Sequence, residues 1–155
     1  MRIMYLVDRP AEDVQRVAGW FLEQWGPDNV EAWLPLIGGM LTHRVLPTTF
    51  VAIDDDRVVG TASLVASDQA LPEYSPWLAS VYVPPGERGR GVSTALIRRV
   101  EAEARALGFP RLYFQTPGRA EPYELLGWRW VGSNIARHQP TKVLARELAP
   151  VERAA

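Results

Sequence analysis

Between Gly86 and Gly91 the chain places three glycines and two arginines in six residues, where an apolar run ends and a helical pattern begins. The pattern opens Gly91-Val92-Ser93-Thr94-Ala95, with no acid in its first turn. An acid would be favoured there, because the first N–H groups of a helix carry partial positive charge. Those free N–H groups, glycines that let a ligand approach the backbone, and the donors of Arg88 and Arg90 together make an anion site. A phosphate or pyrophosphate suits it best. A loop that merely turns a corner explains the glycines, but not their coincidence with paired arginines and an acid-free helix start.

Two common phosphate loops fail on particular residues. The P-loop needs lysine after its last glycine, and Val92 follows Gly91. The dinucleotide fingerprint needs a glycine three residues after its second, and Thr94 stands there. Other chemistries are also limited. The chain has no cysteine, which removes disulfides, thiolate metal sites and a cysteine nucleophile. His43 and His138 are isolated, no metal site is expected, and no Gly-x-Ser-x-Gly elbow is present. A net charge of −1 argues against a non-specific nucleic-acid binder. Asp8 interrupts the opening apolar stretch, and no run of about 18 apolar residues could span a membrane, so a cytoplasmic protein with no membrane partner is expected.

The elements that must carry the loop follow from periodicity. Ile3–Val7 predicts a strand. Val14, Val17, Ala18, Phe21, Leu22 and Trp25 recur at helical spacing behind Pro10, and Gly26-Pro27 stops that helix. A second helix is expected over Val30–Met40, bent or divided at Pro35. Residues 48–53 and 57–67 read as a hairpin turning at Asp54-Asp55-Asp56. A loop from Ser67 to Pro76 leads to a strand over 77–83, the glycine loop, and a helix over 91–107. A strand at 111–116, a short helix at 121–126 and a closing hairpin from 128–132 and 141–148 complete the order. The expectation is one mixed α/β domain over residues 1–149 with a frayed tail at 150–155. Its sheet is mostly antiparallel, with parallel pairing around the long helix.

Two segments carry a family resemblance. "VYVPPGERGRGVSTALI" resembles the coenzyme A loop of the GNAT N-acetyltransferases, Arg/Gln-x-x-Gly-x-Gly/Ala, here Arg88-Gly89-Arg90-Gly91-Val92-Ser93. Ser93 stands where glycine or alanine is usual. "PYELLGWRWVG" is similar to the family's Phe-Tyr-x-x-Leu-Gly-Phe segment, and the element order matches over nearly the whole chain.

The resemblance implies two splayed central strands, 77–83 and 111–116, with the pantetheine arm of acetyl-CoA in the gap. That arm would bond to backbone at Val81, Tyr82 and Val83, with Thr116 at the edge. The pyrophosphate would sit on Arg88, Gly89, Arg90, Gly91, Val92, Ser93 and Thr94. Tyr123 matches the family's general acid; a phenol near pKa 10 can protonate a thiolate whose thiol lies near 8.5. The base is open. The strand 111–116 has no glutamate, and Glu73 and Asp68 are the loop carboxylates placed to border the acceptor site, Glu73 being the catalytic candidate. An α-amine acceptor would need no dedicated base.

Of the six tryptophans, Trp25, Trp33 and Trp77 are candidates to line the acceptor site, with Trp20, Trp128 and Trp130 in packing roles. The expected function is transfer of an acetyl group to a primary amine of a small molecule or peptide, by direct attack in a ternary complex. Small domains of this family often form homodimers. Two alternatives stay open: a non-catalytic acyl-CoA-binding sensor, and a binder of another phosphate ligand.

Overall fold

The computed structural model describes residues 1–25, 37–68 and 71–149. Seven strands form one sheet in the order β1-β2-β3-β4-β5-β7-β6. They are β1 (Arg2–Tyr5), β2 (Thr48–Asp54), β3 (Arg57–Val65), β4 (Trp77–Tyr82), β5 (Arg111–Thr116), β6 (Arg129–Ala136) and β7 (Gln139–Glu147). The helices are α1 (Ala11–Trp25), α2 (Val92–Ala106) and the short α3 (Glu121–Glu124). Among the described residues only β4 and β5 pair in parallel, on either side of the α2 crossover. No described helix is long and apolar enough to cross a membrane.

Strand alternation separates two faces. Phe50 and Ala52 of β2 pack with Leu96, Ile97 and Val100 of α2. Val51 and Ile53, one residue out of phase, pack with Val17, Ala18 and Phe21 of α1. The same division runs through the other half of the sheet. Leu78, Leu112, Phe114 and Leu144 face α2, while Trp77, Tyr113, Val143 and Ala145 form a cluster on the opposite face. Each fully buried leucine or phenylalanine contributes roughly 1.5–3 kcal/mol to this packing.

Gly60 of β3 is a close-approach position. A Cβ there would lie 2.8 Å from Val92 Cγ1 and 3.1 Å from Leu96 Cδ1. Its absence lets the first turn of α2 sit directly on the sheet.

Several boundaries differ from the expected ones. The closing hairpin is longer, and Arg137 and His138 turn it with φ of 50° and 66°. Positive φ at both positions suits a two-residue hairpin turn, but the residues lack the usual Asn-Gly signal. Pro140 belongs to β7 yet lies beyond Lys142, the last residue paired with β5, so its missing N–H breaks no bond to β5. Residues 37–39 are helical; the rest of the expected second helix up to residue 36, with Trp33, lies outside the described residues, as does the 150–155 tail.

Candidate active site

β4 and β5 share a single paired position, Trp77 with Tyr113, anchored by the Tyr113 N–H donating to the Pro76 carbonyl at 3.0 Å. Beyond it the strands part. The gap opens into a cavity of about 840 Å³, walled by Leu78–Val81 on one side and Phe114–Thr116 on the other. β4 also carries an extra residue relative to β3: Thr61 opposes Tyr82 whereas Ser63 opposes Ala79. Ser80 takes up the difference with φ of 54°, an uncommon conformation for a non-glycine residue. The sequence gives no sign of this bulge.

A second cavity of about 310 Å³ continues from the first, with Gln24, Trp25 and Val81 bordering both. Its floor is the start of α2. Gly89 and Gly91 both have φ of 79°, and no atom lies within 4 Å of where a Cβ would stand at either. Gly91 caps the helix in the left-handed conformation with no side-chain hydrogen bond, and the first turn holds no acid. The first N–H groups of α2 therefore keep their capacity for an anion.

The two arginines of the loop behave differently. Arg88 lines this cavity, and its Nε donates to the Val83 carbonyl at 2.9 Å, leaving the rest of the guanidinium its remaining donors. Arg90 reaches the other way. Its Nη2 lies 3.0 Å from Asp54 and 2.9 Å from Glu87, and Glu87 is also held by Arg57. Val81, Tyr82, Val83, Gly89, Val92 and Ser93 line the second cavity, while Arg90 and Thr94 lie off its lining.

On the α2 face of the gap, the half-buried Tyr123 lines the large cavity beside Phe114, ring centroids 5.0 Å apart. Burial pushes its phenol above the ordinary tyrosine value, and a side-chain hydrogen bond with Thr116 opposes the shift. Thr116 is itself held by Gly118, whose N–H donates to its Oγ1 at 3.1 Å. A raised phenol stays protonated at neutral pH, the state a proton donor needs.

On the opposite face, Asp68 enters the same cavity. Gln115 Nε2 donates to its Oδ2 at 3.1 Å. Gln115 Oε1 in turn accepts from Thr141 Oγ1 at 3.0 Å and Asn134 Nδ2 at 3.2 Å. Burial raises the Asp68 carboxyl; the Gln115 bond and the charge of Arg137 pull it down. The sequence offered Asp68, with Glu73, as a loop carboxylate bordering the acceptor site, but gave none of its partners. Gln115, Asn134 and Thr141 gave no signal, because their partners are distant in the chain.

The other expected residues divide. Trp25 borders both cavities. Trp77 is fully buried among Tyr74, Tyr113, Val143 and Ala145, with its Nε1 donating to the Tyr74 carbonyl at 2.7 Å. Glu73 is exposed and lines neither cavity. Trp128 is buried and Trp130 is half exposed at the sheet edge.

Comparison with known proteins agrees with this architecture. The chain aligns over 98% of its length with all of aminoglycoside 6'-acetyltransferase type Ii, at 19% identity and a TM-score of 0.74. It covers 99% of itself and all of an aminoglycoside 6'-N-acetyltransferase complexed with coenzyme A, at 16% identity and a TM-score of 0.76. For the ribosomal-protein-alanine N-acetyltransferase of Brucella melitensis the figures are 96%, 100%, 19% and 0.73. No curated protein sequence matches the chain. At these identities the solved structures establish the fold. Residues 12–122 match the sequence model of the acetyltransferase (GNAT) family, and the chain belongs to that family.

Proposed function

We propose that the protein is an acetyl-CoA-dependent N-acetyltransferase that acetylates a primary amine of a small molecule or peptide by direct transfer. The observation that carries this reading is the convergence of a half-buried phenol, two parted strand edges and an uncapped helix start on two adjoining cavities.

The fit to the coenzyme rests on the cradle. Gly89, Gly91 and the first N–H groups of α2 have room and capacity for a pyrophosphate, and Arg88 adds charge beside them. The parted edges of β4 and β5 offer backbone groups to the amides of a pantetheine arm. When bound, the coenzyme supplies an activated acetyl thioester. Val81, beside the bulge, supplies a backbone N–H to the thioester carbonyl, whose oxygen gains charge as the amine attacks. The amine attacks as its free base; Tyr123 gives its proton to the thiolate as the carbon–sulfur bond breaks, and the proton lost from the new amide nitrogen returns through water to the phenolate. Holding both substrates in one gap supplies alignment.

The test is a screen of primary amines for free-thiol release from acetyl-CoA. Amine-dependent release by the native protein, lost in Tyr123→Phe, supports the reading. A protein that binds acetyl-CoA but releases no thiol with any amine is a sensor rather than an enzyme.

A further inference from the structure

We propose that Asp68 is the acceptor-binding residue of this site: it pairs with the ammonium group of a cationic amine arriving from the α1 face, and Gln115 holds its carboxylate in position. The proposal rests on the transferase reading and names the face and residue that select the acceptor.

The geometry gives the direction of approach. Residue alternation on β5 puts Phe114 and Thr116 on the α2 face, with Tyr123, and Tyr113 and Gln115 on the other. The cavity passes between them and is lined from both sides. The phosphate cradle belongs to α2, whereas the other mouth is framed by the tip of the β6–β7 hairpin and by the end of α1, whose Gln24 and Trp25 also border the cradle. Arg137 Nη1 ties that tip to the Trp25 carbonyl at 2.8 Å. Asp68 stands at this second mouth.

The chemistry gives the ligand. An ionised carboxylate only accepts hydrogen bonds, so the Gln115 amide must present its NH₂ to Asp68. Its oxygen then faces Thr141 and Asn134, both of which have donors to offer, and every member of the chain has one consistent orientation. Asp68 nevertheless has no ion pair among the described residues. Its one side-chain partner is a neutral amide, and Arg137 spends a donor on Trp25. Arg137 acts on Asp68 from beyond ion-pair distance, so this partly desolvated carboxylate, fixed by a neutral relay and lining an open cavity, has no cation in direct contact. A primary ammonium supplies it, with three donors that also reach neighbouring backbone. Glu23, His138, Arg137 and Tyr123 are the other titratable groups lining this cavity. Gln115 acts only through Asp68 and is a positioning residue.

The test uses the full chain without coenzyme, so that it does not depend on turnover. The Asp68 carboxyl carbon is followed by NMR during titration with n-butylammonium chloride, beside sodium chloride at equal ionic strength and n-butanol. The expected result is a saturable shift with butylammonium alone, together with movement of the Gln115 side-chain amide that disappears in Asp68→Asn. A shift no larger than that of exposed Asp55, or equal in the sodium arm, overturns the assignment. With any amine that supports thiol release, Asp68→Asn should raise the amine KM about tenfold or more and leave the acetyl-CoA KM unchanged. Gln115→Leu should raise the amine KM less, with kcat nearly kept. An unchanged amine KM in Asp68→Asn also overturns the proposal. Acetyl-CoA binding measured separately keeps the two readings distinct: coenzyme binding without an ammonium response refutes Asp68 alone, and the converse refutes the transferase.

Discussion

Gln115 and Thr116 are adjacent on β5 and serve opposite sides of one opening: Thr116 lines it with the Tyr123 phenol, and Gln115 bonds the Asp68 carboxylate. The two-residue period of a strand thus sets the Tyr123 phenol on one face of the opening and the Asp68 carboxylate on the other. A one-residue slip of β5 would exchange them. Its register is fixed by six successive pairs with β7, from Arg111–Glu147 to Thr116–Lys142.

Tyr123→Phe should lower kcat about a hundredfold or more, the usual worth of a positioned general acid. The acetyl-CoA dissociation constant should change little, because the ring and its packing on Phe114 remain. Because burial raises the phenol, the alkaline loss of activity should begin above the ordinary tyrosine pKa. A pH–rate profile of the native enzyme checks this; a limb below the ordinary value would assign it to another group.

The loop arginines should not be equivalent. Arg88 borders the cradle, so Arg88→Ala should weaken acetyl-CoA binding about tenfold or more, the loss expected of a charge-assisted bond. Arg90 is committed to Asp54 and Glu87 at the surface. Arg90→Ala should change affinity by only a few-fold, and stability by about 0–1 kcal/mol, as for exposed ion pairs. Calorimetry on both single variants decides; equal losses would mean that Arg90 leaves its partners for the ligand.

Gly60→Ala should act at a distance. The new methyl meets Val92 and Leu96, so the start of α2 must shift away from β3. Overpacking of this kind costs about 1–3 kcal/mol. Thermal unfolding should show that loss, and acetyl-CoA affinity should fall with it because the displaced turn carries the cradle. Lost stability with intact affinity would uncouple the helix start from the ligand.

The loop and Tyr123 were legible in the sequence because each is a local pattern: glycines at fixed offsets, an acid-free helix start, a short motif. The fate of Arg90 was only half legible: Glu87 is three residues away, but the other partner, Asp54 at the β2–β3 turn, is 36 residues away. The Asp68–Gln115 bond was not legible, since it spans 47 residues and depends on which way β5 faces. Trp77 stands at a strand position compatible with either lining or packing, and only its full burial among Tyr113, Val143 and Ala145 shows that it packs. The turn at Arg137-His138 escaped because positive φ there is imposed by strand pairing rather than encoded by glycine.

Asp68 should leave a mark on stability. Its folded pKa is raised by burial, so the folded state binds its proton more tightly than the unfolded state. Stability from this group is therefore complete below the ordinary aspartate pKa and declines as pH rises through the raised folded value. Asp68→Asn removes that decline. The stability of the variant relative to the native protein should rise with pH across this acid window and level off above it, as measured by denaturant unfolding. A relative stability that falls with pH would mean that Asp68 is stabilised as a charge in the free protein.

The most direct test of the central claim is a calorimetric titration with acetyl-CoA beside adenosine 3',5'-bisphosphate, which lacks the pantetheine arm. Bound in both the cradle and the parted strands, acetyl-CoA should saturate one site and bind about tenfold or more tightly than the bisphosphate. A folded protein that binds neither, or binds the bisphosphate as tightly as acetyl-CoA, would contradict the account.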